Sequence, residues 1–203
     1  KLAERELIFP CSCSRKDLAA RAPENADEEP LYPGTCRARG VSAARGELNT
    51  ILESPARLAP ARHSTRRVNW RFRVSPGEVV EFFDGGLGPQ RFVAGKDFGD
   101  FVVWRHDDVP SYQLACVVDD AAMRITEVVR GADLLVSTAR QLLLYRALEL
   151  RPPDFFHCPL VTDENGVRLA KRRDSLSLRA LRQRGETPES IIARFKSAFS
   201  ALS

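Results

Sequence analysis

The sequence has 203 residues, enough for one large or two small domains, and its 43% hydrophobic residues allow a sizeable core. No apolar run approaches the ~20 residues that a transmembrane helix needs, and no secretory signal is recognisable, so we predict a cytoplasmic protein without membrane contact. The net charge of +4 indicates a polyanionic partner.

Basic residues are concentrated in two segments of the chain. Residues 57–73 contain six arginines and no acid, and residues 168–184 contain seven basic residues and one acid, Asp174. Taken alone, either segment is as easily a solvated surface as a binding site. Two arginine-rich segments together favour phosphate contact, because the planar guanidinium binds phosphate in a bidentate manner.

Residues 1–7 are predicted to be the end of a helix, and residues 8–40 a small irregular module that binds Zn²⁺. Five cysteines without an export signal favour a metal over disulfides. Cys11, Cys13 and Cys36 supply three thiolates at short spacing, as in structural zinc sites. The residue types alone leave Tyr32 and Glu29 equal as the fourth ligand. Three thiols that bind no metal are the alternative.

The middle of the chain is predicted to be antiparallel and β-rich. Residues 68–74 alternate strictly, with four apolar side chains on one face and Asn69, Arg71 and Arg73 on the other. This pattern predicts a half-buried strand with an arginine-lined outer face. Further strands are predicted at 79–83 and 101–105, with a glycine-rich turn at 84–88 after the first of them.

The remaining chain alternates strand and helix patterns, which predicts an α/β half-domain. The predicted elements are strands at 112–118 and 125–129, a helix at 137–150, a strand at 155–161, a turn at 163–166, and helices at 175–184 and 188–201. The apolar run at 112–118 ends in Asp119 and Asp120, as a buried parallel strand would end. Cys116 and Cys158 lie within predicted apolar strands and are expected to be core residues.

Several sequence blocks carry a family resemblance. They are FPCSCSRK at 9–16, YPGTCR at 32–37, DFVVWR at 100–105, SYQLA at 111–115, VVDD at 117–120, VRGADLL at 129–135, HCPL at 157–160 and GVRLAKR at 166–172. In this order they resemble the glutamyl-Q tRNA(Asp) synthetases, a class I, glutamyl-tRNA-synthetase-like family. The resemblance implies the second half of a Rossmann-type α/β catalytic domain, an inserted zinc-bearing β-rich subdomain and C-terminal helices. The implied divisions are 1–40, 41–108, 109–162 and 163–203.

The resemblance also implies an activity and its residues. The family activates glutamate with ATP and transfers the glutamyl group to queuosine in the anticodon of tRNA(Asp). Tyr112 and Arg130 match its glutamate-binding residues, Lys171 matches the phosphate-binding lysine of its mobile KMSKS loop, and Tyr32 becomes the fourth zinc ligand. The alternatives are an ion pair between Arg130 and Asp133, a core position for Tyr112, and a solvated charge run in the loop. One structural Zn²⁺, ATP and Mg²⁺ are the implied cofactors and co-substrates, and a monomer is expected.

The sequence departs from the family pattern in two places. In the KMSKS-like loop, Arg168 replaces the first lysine and Ala170 replaces the serine. The HIGH-type ATP motif and the first half of the nucleotide-binding sheet are expected to precede Lys1, so this chain alone is expected to be inactive. Two alternative interpretations remain, a truncated ordinary glutamyl-tRNA synthetase and a non-catalytic, zinc-bearing RNA-binding fragment.

Overall fold

The computed structural model describes residues 1–14, 17 and 18, 31–38, 68–160 and 178–200, without the side chains of 194, 195 and 197–200. The chain forms two compact units, Lys1–Cys158 and Pro159–Ser203, which are described separately. The finer division predicted above stays a prediction. Within the described residues, no helix combines the length and apolar character that crossing a membrane would require.

The first sheet contains three antiparallel strands, β1 (Ile8–Cys11), β2 (Asn69–Phe72) and β5 (Phe101–Trp104), in the order β1–β2–β5. Trp70 and Phe72 on β2 are buried, and so is Val74 just beyond it, which confirms the predicted inward face. Phe72 stacks on Phe101 of β5, with ring centroids 5.3 Å apart. Burial of these large rings fixes the register, because a shift by one residue would turn them outward.

The second sheet has four strands in the order β4–β3–β7–β6. β3 (Val79–Asp84) and β4 (Gly88–Val93) form an antiparallel hairpin around the turn at 85–87. The strand β3 and the glycine-rich turn were predicted, whereas β4 was not, and the strand predicted at 101–105 is β5 of the first sheet. β7 (Asp154–Cys158) runs parallel to both β3 and β6 (Glu127–Gly131). The end of β3 at Asp84 pairs with Phe155 near the start of β7, whereas β6 and β7 end side by side.

Helix α2 (Leu135–Leu148) follows a short 3₁₀ turn (Ala132–Leu134) and connects β6 to β7, as the strand–helix–strand pattern predicted. The helix supplies a large part of the main core. Its predicted core residues Leu142, Leu143, Tyr145 and Ala147 are buried, and Leu150 just beyond it is partly buried. The helix ends where Glu149 adopts a left-handed conformation, with φ of 60°.

The predicted strand at 112–118 is wrong, because these residues begin helix α1 (Tyr112–Met123). Ser111 caps the helix by accepting a hydrogen bond from the Leu114 backbone N–H at 3.5 Å. Val117 is fully buried, whereas Asp119 and Asp120 lie within the helix and do not end a strand. A short apolar run does not distinguish a strand from a packed helix, and here the serine cap decides.

Both ends of the chain agree with prediction. Residues 1–7 form turns with the hydrogen bonds of a helix end, in which Glu6 N–H donates to the Ala3 carbonyl at 3.0 Å and Leu7 N–H to the Leu2 carbonyl at 3.0 Å, and Glu6 has a left-handed φ of 55°. In the second unit, helices α3 (Leu178–Gln183) and α4 (Pro188–Ser200) lie where helices were predicted. The Thr187 hydroxyl accepts from the Ser190 N–H at 3.3 Å and so caps α4. The predicted turn at 163–166 lies outside the described residues.

Candidate functional site

The three cysteines near the start of the chain converge in the structure. Cys11 is the last residue of β1, and Cys36 lies in the turn formed by residues 35–38. All three sulfur atoms of Cys11, Cys13 and Cys36 lie within 4.8 Å of one another. The Tyr32 hydroxyl is 3.4 Å from the Cys11 sulfur and 4.0 Å from the Cys13 sulfur. Glu29, the alternative ligand, lies outside the described residues.

These distances match the edges of a tetrahedral metal site. With Zn–S bonds of ~2.3 Å and a Zn–O bond of ~2.0 Å, a tetrahedron has S–S edges of about 3.8 Å and S–O edges of about 3.5 Å. The Cys13 and Cys36 sulfur atoms are 3.6 Å apart. Cys11 and Cys36 are buried against Phe9, so the donors form a small cluster of their own. The residues therefore fit a zinc ion.

The protonation of the thiols also bears on metal binding. Burial, together with hydrogen bonds to Cys36 and Cys11, raises the pKa of Cys13 to about 11. Burial opposes ionisation of Cys36 as well, but hydrogen bonds from the Ser12 backbone and from Tyr32 outweigh it and lower the pKa of Cys36 to about 7. Burial raises the pKa of Tyr32 above its ordinary value. Without a cation, Cys36 therefore ionises more easily than Cys13 or Tyr32.

A network of arginines ties this cluster to the first sheet. Arg37 donates from Nη1 to the buried Asp100 carboxylate at 3.0 Å and from Nη2 to the Val74 carbonyl at 2.6 Å. Arg71 is buried, with its guanidinium 4.1 Å from the Tyr32 ring centroid, and donates to the Asp100 carbonyl at 3.0 Å. The Arg73 guanidinium lies 5.0 Å from the Phe9 ring centroid.

The arginines on β2 therefore differ from the prediction of an exposed, phosphate-facing row. Arg71 is only 6% exposed, because the segment around Tyr32 covers it. Alternation predicts which face of a strand is apolar, but it does not predict that an earlier segment of the chain folds over the polar face. The other four arginines of that segment, and the basic residues at 168–173, lie outside the described residues.

Arg130 lies in β6, and three other elements surround its guanidinium. Nε donates to His157 Nε2 at 3.2 Å on β7, and Nη2 donates to Thr138 Oγ1 at 2.6 Å and Gln141 Oε1 at 2.8 Å on α2. Nη1 is 3.5 Å from the Tyr112 hydroxyl at the start of α1. These acceptors are neutral, so the positive charge is oriented by the protein and remains available to an anion.

The structure thus brings Tyr112 and Arg130 within 3.5 Å of each other, and their role in binding glutamate stays a prediction. The side chain of Tyr112 is about half exposed and belongs to α1, so it is not a core residue of a strand. Desolvation, with a smaller contribution from Cys116, raises the pKa of Tyr112 above its ordinary value. The phenol is therefore neutral at neutral pH and can donate one hydrogen bond to an anion.

Sequence reasoning missed the residues behind Arg130. His157 and Asp84 are fully buried, and His157 Nδ1 lies 2.5 Å from Asp84 Oδ2. Two signals were present in the sequence. Asp84 ends a strand just before Gly85, and His157 lies in one of the blocks that carried the resemblance. Thr138 and Gln141 are three residues apart on one face of α2, and that spacing carried no comparable signal.

Three further predicted residues lie elsewhere. Cys116 and Cys158 were predicted as core residues of strands, but both are only half-buried, and Cys116 lies in helix α1 while Cys158 ends β7. Lys171, with the whole KMSKS-like loop, lies outside the described residues.

Solved structures share the fold. A crystal structure of a glutamate tRNA ligase from Elizabethkingia meningosepticum matches with a TM-score of 0.60 over 84% of this chain and 35% of that chain. The sequence identity is 23%, so this match concerns the fold alone.

Curated relatives and a family model carry the assignment further. A glutamyl-Q tRNA(Asp) synthetase from Nitratidesulfovibrio vulgaris is 45% identical over 91% of this chain and 53% of its own length. A glutamate–tRNA ligase from Nitrosococcus oceani is 36% identical over 94% of this chain and 38% of its own length. The chain thus spans about half or less of these relatives. The family model for the catalytic domain of class I tRNA synthetases (E and Q) matches residues 55–199, so the chain belongs to the class I tRNA synthetases of this glutamate and glutamine family.

Proposed function

We propose that the protein activates glutamate with ATP and transfers the glutamyl group to the queuosine of tRNA(Asp). The observation that carries the proposal is the pairing of Arg130 Nη1 with the Tyr112 hydroxyl at 3.5 Å, on a guanidinium held by neutral side chains. The 45% identity to a glutamyl-Q tRNA(Asp) synthetase supports the choice of substrates. Because these substrates are cytoplasmic, we propose that compartment for the protein.

The proposed clamp for glutamate differs from the usual bidentate arginine fork. Nε and both hydrogens of Nη2 are directed at protein acceptors, which leaves Nη1 for the ligand. A glutamate carboxylate would therefore be held by Nη1 and by the Tyr112 hydroxyl. Each hydrogen bond to a charged group contributes roughly 1.5–3 kcal/mol.

The chemistry of adenylate formation places few further demands on these residues. A glutamate carboxylate oxygen attacks the α-phosphate of ATP, and pyrophosphate leaves with the broken P–O bond. No covalent intermediate with the protein is needed, so positioning and charge stabilisation are the task of the side chains. Lys171 is proposed to contact the phosphates, and Mg²⁺ would neutralise part of their charge.

We propose that Cys11, Cys13, Tyr32 and Cys36 hold one structural Zn²⁺. The tetrahedral distances among their donor atoms support this ligand set. The ion would fix the Cys36 turn, and through Arg37 it would fix the contact with Asp100 on the first sheet. The anticodon loop of tRNA(Asp) is the proposed nucleic-acid partner, and the protein is proposed to act as a monomer.

The runner-up function is ordinary charging of tRNA(Glu). The 36% identity to a glutamate–tRNA ligase favours it as the second candidate. The higher identity to glutamyl-Q relatives, which is 39–45% for three of them, favours the first. The two functions share glutamate activation and differ only in the acceptor RNA.

Glutamate-dependent ATP–pyrophosphate exchange with the full-length gene product tests the activation step. We expect exchange with glutamate and none with aspartate or glutamine, and loss of exchange in the Lys171→Ala variant. Absence of exchange from a folded wild-type protein would overturn the proposal. In that case a non-catalytic RNA-binding role would be the remaining alternative.

A further inference from the structure

We propose that Asp84 and His157 are positioning residues for the amino-acid substrate. Asp84 sets the tautomer of His157, and His157 holds the Arg130 guanidinium in the orientation that leaves Nη1 for the substrate carboxylate. The inference rests on the proposed function and adds two buried residues that do not touch the substrate themselves.

The hydrogen-bond donors determine which tautomer His157 adopts. A guanidinium nitrogen can only donate, so His157 Nε2, 3.2 Å from Arg130 Nε, must be an acceptor. The ring proton is therefore on Nδ1, where it is donated to Asp84 Oδ2. The Thr138 hydroxyl lies 3.0 Å from the same Nε2 and accepts from Arg130 Nη2, which closes a ring of contacts around the guanidinium.

Asp84 is held as a carboxylate although it is fully buried. Its Oδ1 accepts the backbone N–H groups of Gly86, Leu87 and His157, each at 3.0 Å. Burial alone would raise the pKa of Asp84, but the hydrogen bonds from the His157 ring and these backbone groups outweigh it, so the pKa lies below its ordinary value. A neutral imidazole thus separates a buried negative charge from the Arg130 positive charge, and the two charges stabilise each other.

The orientation of Arg130 depends on this arrangement. If the proton moved to Nε2, two N–H donors would face each other across 3.2 Å, and the guanidinium would turn away. Nη1 would then leave the position 3.5 Å from the Tyr112 hydroxyl, and the two donors proposed for the carboxylate would separate. The same logic applies wherever a buried carboxylate selects a histidine tautomer.

Asp84→Asn tests whether Asp84 sets the tautomer of His157, and it changes the shape of the side chain little. Its amide oxygen can still accept the three backbone N–H groups, whereas its NH₂ group now donates to His157 Nδ1 and forces the proton to Nε2. We expect the KM for glutamate in the exchange assay to rise about tenfold or more, with the KM for ATP unchanged. Ring ¹⁵N shifts of His157 should show the Nδ1–H tautomer in wild type and the Nε2–H tautomer in the variant.

Two substitutions of His157 test whether this residue holds the Arg130 guanidinium in position or only fills space in the core. The oxygen of His157→Gln reaches about as far as Nε2 and can still accept from Arg130, whereas His157→Asn reaches only about as far as Nδ1. We expect the glutamine variant to keep a glutamate KM within about threefold of wild type, and the asparagine variant to raise it about tenfold. Thermal unfolding of both variants reports any loss of folding.

The outcomes separate this inference from the proposed function. An active wild type in which Arg130→Lys raises the glutamate KM, while Asp84→Asn and His157→Asn do not, would overturn the inference and leave the function intact. Variants that lose stability but bind glutamate normally, or a wild-type Nε2–H tautomer, would overturn it as well. If wild type shows no glutamate-dependent exchange, the proposed function and this inference both fail.

Discussion

Arg130 and Tyr112 are the residues on which the proposed amino-acid specificity depends. Lysine at position 130 would keep the charge but lose the planar group whose Nε and Nη2 contact His157, Thr138 and Gln141. For Arg130→Lys we expect the glutamate KM to rise about 10- to 100-fold, since one to two charge-assisted hydrogen bonds are lost. Exchange kinetics at saturating ATP measure this change.

The tyrosine hydroxyl should contribute less than the arginine. Tyr112→Phe removes one neutral donor to the carboxylate, so we expect a rise of roughly tenfold in the glutamate KM, the lower end of the range for a hydrogen bond to a charged group. Tyr145→Phe is the matched control, because the Tyr145 hydroxyl has no hydrogen-bond partner within the part of the chain that the structure describes. Equal effects of the two substitutions would contradict the role assigned to Tyr112.

At the scale of single residues, the resemblance indicated one end of the hydrogen-bond network, Tyr112 and Arg130, but not the other end, His157 and Asp84. The cysteine spacing separately indicated a metal cluster. Asp84 and His157 are 73 positions apart in sequence. Their contact exists only because β3 and β7 are parallel neighbours, and no local pattern encodes such a pairing.

The proposed zinc module should depend on a bound metal for its stability. We expect about one Zn²⁺ per chain by elemental analysis, and a lower temperature of unfolding after chelation, because binding to the folded state alone stabilises it. Cys36→Ser should lose the zinc, whereas Cys158→Ser should keep it, since Cys158 lies on β7 outside the cluster. Wild-type protein free of zinc after growth with the metal, and unaffected by chelators, would contradict the ligand set.

The link between this module and the first sheet depends on one buried carboxylate. Arg37→Met would leave Asp100, which is 5% exposed, with only the Val74 N–H as a partner among its described hydrogen bonds. We expect the free energy of unfolding to fall by about 2–3 kcal/mol, as measured by chemical denaturation. The matched variant Arg91→Met removes an exposed ion pair to Glu81 and should change stability little. A similar loss in both variants would argue against the anchoring role.

The turn after β3 requires glycine at position 86. A side chain there would place its Cβ 2.4 Å from the His157 carbonyl oxygen, so the turn would have to move away from β7. We expect Gly86→Ala to lower both stability and glutamate affinity, because the turn carries two of the N–H groups that hold Asp84. Gly99→Ala, whose Cβ would meet only ordinary contacts at 3.6 Å or more, is the control and should be tolerated.

Elements whose apolar residues recur at a clear period were predicted more accurately than the apolar run at 112–118. Alternation located β2, and the turn glycines located the end of β3, although β4 after the turn was not predicted. The first half of α1 is largely apolar and its period is ambiguous, and its serine cap was the signal that distinguishes a helix here. Arg71 shows a second limit, since burial of a polar strand face by a loop is a tertiary effect.

For the molecule as a whole, the central claim concerns the RNA that receives the glutamyl group. The most direct measurement incubates the full-length gene product with ATP, Mg²⁺ and labelled glutamate, and compares tRNA(Asp) with queuosine, tRNA(Asp) without it, and tRNA(Glu). We expect label on queuosine-containing tRNA(Asp) alone, and loss of that label in the Arg130→Lys variant at low glutamate. Label on tRNA(Glu), or on none of the three RNAs, would contradict it.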